Sequence, residues 1–217
     1  MKNFLTLILA FFLVSCNGQG KESSTSQMAN EPADKPNLEY VTLGGGCFWC
    51  VEAPLESVKG IESVISGYSG GFVANPTYEQ VSTGETGHAE VVRIGFDPKV
   101  ISYQQIMDIF FFLHDPTTLN RQGADVGTQY RSVVFYSNEK QKKETEEAMK
   151  ISEKSGKYSG KYFTQIVPFV KFYPAEKYHQ NYYDKNPQQP YCSVVIGPKI
   201  AKFKKHYGEL GWLKPNS

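Results

Sequence analysis

An α+β fold is what this sequence predicts, with a mixed or antiparallel sheet covered by helices in a two-layer sandwich. Segments with two-residue alternation, cleanest over residues 88–96, interleave irregularly with segments of helical spacing such as Phe48, Val51, Leu55 and Val58. No internal repeat is visible. The chain has 217 residues, 40% of them hydrophobic, which suits one medium domain with a sizeable core. Its formal net charge of +1 gives no reason to expect a nucleic acid or an acidic polymer as partner.

The first residues stand outside that domain. Lys2 precedes an apolar run over residues 4–14, the charged and hydrophobic regions of a secretory signal and too short to span a bilayer. The run ends at Leu13-Val14-Ser15-Cys16, which resembles a bacterial lipobox. Residues 1–15 are therefore expected to be removed and Cys16 to carry lipid, each buried CH2 contributing about 0.8 kcal/mol to anchoring. Residues 16–37, rich in Gly, Ser, Gln, Glu, Lys and Pro, read as a flexible tether, and the folded domain is placed at residues 38–214.

A strand over residues 38–43 leads to Gly44-Gly45-Gly46, read as a loop that lets main chain approach a ligand. Cys47 then opens a helix, where unpaired N–H groups and the helix dipole favour a thiolate. Pro54 argues that this helix starts later or bends. Cys47 and Cys50 form Cys-x-x-Cys, which suits a redox pair, half a zinc site or an inert buried pair. Zinc would need a second pair at ligand spacing, but Cys192 stands alone and His88, His114, His179 and His206 lie far apart, so no metal is assigned.

Residues 61–68 read as a strand and residues 72–87 as a surface excursion carrying Tyr78. Over residues 88–96 alternation places Glu90, Val92, Ile94 and Phe96 on one face. A carboxyl there is paired, desolvated enough to keep its proton, or at a frayed strand end in water. Ser102 and Gln105 form a capping box for a helix with Ile106, Ile109, Phe110 and Leu113 inward. A long polar loop is expected over residues 114–130, a strand over 132–136 and a charged helix over 138–154. Residues 165–172 read as an edge strand interrupted at Pro168, and 175–185 as a helix whose Tyr178, Tyr182 and Tyr183 serve packing. An apolar run from Cys192 to Ile196 precedes a basic helix over 199–207 with its lysines exposed.

Six motifs now carry a resemblance. Gly46-Cys47-Phe48-Trp49, Gly67-Tyr68-Ser69-Gly70-Gly71, Asn75-Pro76-Thr77-Tyr78, Thr86-Gly87-His88-Ala89-Glu90, Asp125-Val126-Gly127-Thr128-Gln129-Tyr130-Arg131-Ser132 and Tyr178-His179-Gln180 resemble, in order, the A-type peptide methionine sulfoxide reductases over residues 39–205. The resemblance implies reduction of methionine S-sulfoxide, in proteins and free, on an α+β sandwich related to the ferredoxin-like plait. It implies Cys47 as nucleophile, Glu90 as general acid, Tyr78 and Tyr130 as donors to the sulfoxide oxygen, and Asp125 ordering them. Phe48 and Trp49 would receive the S-methyl group. A sulfoxide sulfur is a poor electrophile, so a thiolate must attack while an acid protonates the departing oxygen. The sulfenic acid left on Cys47 is condensed to a disulfide by a second thiol.

Position 50 is usually glycine in that motif; here Cys50 offers a local resolving thiol, favoured over Cys192, which matches the family's C-terminal resolving cysteine, and a relay from Cys50 to Cys192 stays open as a third route. No bound cofactor is implied; the electron donor is thioredoxin or, outside the cytoplasm, a thioredoxin-like protein. With the anchor, the expected place is the extracytoplasmic face of a bacterial membrane in the cell envelope, probed as a monomer by oxidised proteins or peptides. Two rivals remain: a membrane-tethered thiol-disulfide oxidoreductase using Cys47 and Cys50, and a catalytically silent lipoprotein that binds methionine-rich or aromatic segments.

Overall fold

The structure, a computed structural model, describes residues 33–215. The signal, Cys16 and most of the tether thus lie outside the described residues. In chain order the elements are β1 (Glu39–Gly45), α1 (Phe48–Glu56), β2 (Ile61–Ser69), α2 (Tyr78–Ser82), β3 (Ala89–Phe96), α3 (Tyr103–Leu113), β4 (Arg121–Gln122) and β5 (Asp125–Val126). There follow β6 (Ser132–Tyr136), α4 (Glu139–Lys154), β7 (Gln165–Pro168), β8 (Phe172–Pro174), α5 (Tyr182–Lys185) and α6 (Gly197–Glu209).

Six strands form one sheet in the order β7-β6-β1-β3-β2-β8, antiparallel throughout except for the parallel pair β6 and β7. Without its edge strands the order is β6-β1-β3-β2, with α1 joining β1 to β2 and α3 joining β3 to β6. That is the split βαβ connection of a ferredoxin-like plait, as expected of an α+β sandwich. Val41, Leu43, Val92, Ile94 and Phe96 bury one face against Phe48, Val51, Leu55, Ile106 and Phe110. The opposite face is also covered: Ala89, Val91, Val133, Phe135 and Phe172 form a smaller cluster with Val167 and Phe169.

Several expectations change. The strand ahead of Cys47 continues through Gly44 and Gly45, which pair with Val133 and Ser132, so two of the three glycines are sheet rather than loop. The helix starts directly at Phe48 and runs through Pro54. Residues 165–172 are not one strand; Pro168 ends β7, and the chain crosses to the other edge of the sheet to form β8. The surface excursion over 72–87 contains α2, begun by a capping box between Thr77 and Gln80. The loop over 114–130 holds the β4/β5 hairpin and a 3-10 turn at Thr128–Tyr130. The helix expected over 175–185 is broken at Asn181, whose left-handed backbone (φ +53°) cannot continue a right-handed helix; a 3-10 turn at Lys177–His179 precedes it and α5 follows. Cys192–Ile196 forms a π-helical turn that feeds α6. The capping box of α3 is present, with the Ser102 N–H donating to Gln105 Oε1 at 2.9 Å and the Gln105 N–H to Ser102 Oγ at 3.2 Å.

Candidate active site

Glycines at 44 and 45 bring β1 close to its neighbours. A Cβ at Gly44 would stand 2.8 Å from Val133 Cγ1 and 3.0 Å from the Glu90 carbonyl oxygen, and one at Gly45 would stand 3.1 Å from the His114 ring. Gly46, at φ +100°, turns the chain out of the sheet and against the Gln122 side chain. Cys47 is therefore the N-cap residue of α1, at the end of the central strand. The first amide of the helix, Phe48 N–H, donates to Glu90 Oε2 at 3.1 Å. One short link thus ties the residue after the thiol to the carboxyl of β3.

Glu90 is 1% exposed, which removes the frayed-end reading. Burial pushes its carboxyl up to about 8, with the charges of Asp125 and Cys50 adding to the shift against the opposing Phe48 amide. It holds its proton at neutral pH. Cys47 is buried as well, and burial, its hydrogen bond to Cys50 and the charge of Glu90 raise its thiol well above the ordinary range. The expected thiolate at the helix N-terminus is corrected on this point: desolvation outweighs the backbone contribution. The lowered thiol is instead Cys50, drawn down to about 7 by the hydrogen bond from Cys47, with Lys199 and Tyr191 assisting against burial. Lys199 accordingly faces the site and is not one of the exposed lysines of α6.

Tyr191, which the sequence reading did not single out, joins the thiols to Asp125. Its oxygen lies 3.7 Å from Cys50 Sγ, and its hydroxyl donates to Asp125 Oδ2 at 2.7 Å. Its only signal in the sequence is its place beside Cys192. That third thiol is itself buried, on the π-helical turn, and its pKa is raised by burial and by the charge of Cys50. Cys47, Cys50 and Cys192 are all free thiols.

Tyr78 and Tyr130 flank Glu90. Burial raises both phenols, and the charges of Glu90, Cys47 and Asp125 act on each in the same direction, so both remain donors. The Tyr78 amide donates to Glu176 Oε1 at 2.9 Å, and Glu176, fully buried, also accepts the Tyr68 hydroxyl at 2.9 Å. Gln129 Nε2 reaches the Ser82 carbonyl at 3.2 Å and Thr128 Oγ1 the Gly84 carbonyl at 3.0 Å, fastening the turn of Tyr130 to the helix of Tyr78.

An aromatic wall adjoins these polar groups. Phe48 lies 6.4 Å from the Tyr78 ring and 5.0 Å from His179; Trp49 stacks on Tyr182 at 3.7 Å and 7°. Tyr182, read as packing, thus belongs to the wall, as does His179, which burial holds neutral with a pKa near about 4. Neither ring nitrogen of His179 nor the Trp49 indole N–H has a hydrogen-bond partner among the described residues. Among those residues, too, no cluster of three His, Cys, Asp or Glu side chains is arranged to hold a metal. Chemically the assembly offers a thiol, an adjacent base, a protonated acid, two phenolic donors and an apolar surface.

A family model described as peptide methionine sulfoxide reductase matches residues 39–210. A peptide methionine sulfoxide reductase MsrA of Sulfolobus acidocaldarius is 58% identical over 170 residues, 78% of this chain and 96% of the relative. One of Polynucleobacter asymbioticus is 51% identical over 183 residues, 83% of this chain and 96% of the relative. Among solved structures, methionine sulfoxide reductase A of Corynebacterium diphtheriae aligns at a TM-score of 0.67 and 32% identity, covering 71% of this chain and 78% of the other. Mxr1 of Saccharomyces cerevisiae in reduced form aligns at 0.68 and 37% identity, covering 74% and 92%. On the match across residues 39–210 and the identity to these relatives, this chain belongs to the peptide methionine sulfoxide reductase family.

Proposed function

We propose that this protein reduces methionine S-sulfoxide, in proteins and free, to methionine through a sulfenic acid on Cys47 and an intramolecular disulfide. The observation that carries the reading is the hydrogen bond from Phe48 N–H to Glu90 Oε2, which sets a protonated carboxyl beside the nucleophile.

Cys47 passes its proton to the Cys50 thiolate and attacks the sulfoxide sulfur while Glu90 protonates the oxygen. Tyr78 and Tyr130 donate hydrogen bonds to that oxygen as it gains charge. Methionine leaves and Cys47 is left as a sulfenic acid. The Cys50 thiol, which now carries that proton, attacks the Cys47 sulfur; its proton and the sulfenic hydroxyl leave as water, the Cys47–Cys50 disulfide forms, and the Glu90 carboxylate regains a proton from solvent. Two electrons and two protons from a dithiol donor, a thioredoxin-like protein, restore the thiols. Cys50 is preferred to Cys192 because it lies one turn along the same helix, with its thiol lowered and that of Cys192 raised. A stand-alone thiol-disulfide oxidoreductase fits less well, since it gives no role to the buried, protonated carboxyl of Glu90.

The lipobox-like tetrapeptide supports lipidation of Cys16 after removal of residues 1–15, a tether over 16–37, a catalytic domain over 38–214 and a place on the extracytoplasmic membrane face. Labelling with a radioactive fatty acid is expected to mark the wild type and not Cys16→Ala. The enzymatic reading is tested by epimer-resolved reduction of N-blocked methionine sulfoxide: the S epimer is consumed by the wild type and by neither epimer assay with Cys47→Ser. Equal activity of the two proteins would sink it.

A further inference from the structure

Glu52 is 1% exposed, and no step above uses it. It stands on α1 one turn beyond Phe48 and Trp49, so a single helix carries both the aromatic surface and this carboxyl. Its Oε1 accepts the backbone N–H of Asn181 at 3.1 Å, and the Asn181 side-chain Nδ2 donates to Glu56 Oε1 one turn further on. Asn181 is the left-handed residue that interrupts the chain between His179 and Tyr182. A left-handed backbone costs an L residue about 1–2 kcal/mol, and here it is held by two carboxyl groups of α1.

The residues on either side of Asn181 form the far half of the wall. His179 packs 5.0 Å from Phe48 and 4.4 Å from Tyr78, and Tyr182 lies flat on Trp49. Gln180 fixes the turn on the sheet side, taking the Ser66 N–H at 3.0 Å and donating to the Ser66 and Ala175 carbonyls at 2.9 and 3.0 Å. On the helix side the fastening is Asn181 to Glu52 and Glu56. Beside it, α1 meets Tyr182 through the ring of Trp49 and through Glu52, on which the Tyr182 backbone N–H also bears.

We propose that Glu52 is a positioning residue which, through the Asn181 amide, fixes His179 and Tyr182 against Phe48 and Trp49 and so sets the apolar wall that receives the S-methyl group. This deepens the sulfoxide-reductase reading and rests on it. Its effect falls on binding of the substrate rather than on the bond-breaking step, because the wall touches the methyl group and not the departing oxygen.

The test is steady-state reduction of N-acetylmethionine sulfoxide by the full chain, together with emission of Trp49 in a Trp212→Phe background, at a temperature where circular dichroism shows each protein folded. Glu52→Ala is expected to raise KM about tenfold with kcat within about threefold, and to change Trp49 emission as Tyr182 unstacks. Glu52→Gln keeps an oxygen for the Asn181 N–H and is expected to restore KM to within about twofold of wild type. Glu52→Met fills the same space without an acceptor for the Asn181 N–H, and should reproduce the rise in KM if Glu52→Ala does not fold. An unchanged KM and emission in Glu52→Ala or Glu52→Met, or a fall in kcat alone, would overturn the proposal. Inactive wild-type protein would overturn the reductase reading instead, and Trp49 emission would still report the contact.

Discussion

Glu90 keeps a proton that a carboxyl in water would have lost, and this decides how the site responds to pH. Its acid form disappears as pH rises through about 8, and the Cys50 base is protonated as pH falls through about 7. Single-turnover formation of the sulfenic acid is therefore expected to follow a bell-shaped profile with its maximum between those values. Replacing Glu90 with Gln should lower kcat about 10²–10⁴-fold, read by stopped-flow loss of the Cys47 thiol. The same replacement bears on stability. A pKa raised by folding means that the native chain holds its proton while the unfolded chain gives it up, so stability falls as pH climbs from the free-carboxyl range to about 8. Glu90→Gln lacks that loss, and its Tm at pH 8.5 should exceed that of the wild type by about 5 °C or more. Tyr78→Phe and Tyr130→Phe each delete one donor to the sulfoxide oxygen and should each reduce kcat/KM about tenfold. The odd carboxyl of Glu90 was legible because strict alternation put it on an apolar face. The protonation of Cys47 was not, because the groups that desolvate it come from distant parts of the chain. Tyr191 escaped notice for the same reason: its partners Asp125 and Cys50 are 66 and 141 residues away.

At the level of elements, β1 and α1 form one device, a strand that must pass close to its neighbours and a helix whose first amide must face a carboxyl. The triple glycine is better explained by that crowding than by approach to a ligand. Gly44→Ala would set a methyl against Val133 and the Glu90 carbonyl, and should cost about 1–3 kcal/mol in a urea melt while weakening activity through Glu90. Gly123→Ala has open space around it and a left-handed backbone (φ +60°), so it should show only the smaller backbone penalty. Strands with regular alternation and the capping box of α3 were legible to within a few residues, whereas the capping box of the short α2 went unread. The short pieces over 165–185 were not: their course depends on Pro168 sending the chain across the sheet and on Asn181 being held from α1, neither of which has a local signature.

Across the molecule, the plait order follows from two crossovers of ordinary length, and its two added edge strands come from the C-terminal half. The junction with the tether is light. Asp34 meets Arg93, whose guanidinium lies 5.0 Å from the rings of both Tyr40 and Phe169. Asp34→Ala should change stability by less than about 1 kcal/mol, since its own side chain is 55% exposed. Mass spectrometry after one turnover without reductant should find Cys47 joined to Cys50 with Cys192 free; a Cys47–Cys192 bridge would reverse the preference for Cys50. The contact of Tyr191 with Cys50 also has a consequence for biosynthesis. A ribosome delivers both thiols of α1 long before it delivers the phenol that covers one of them. Until the segment around Tyr191 docks, the growing chain lacks that cover, so a part of the fold made late closes over a thiol made early.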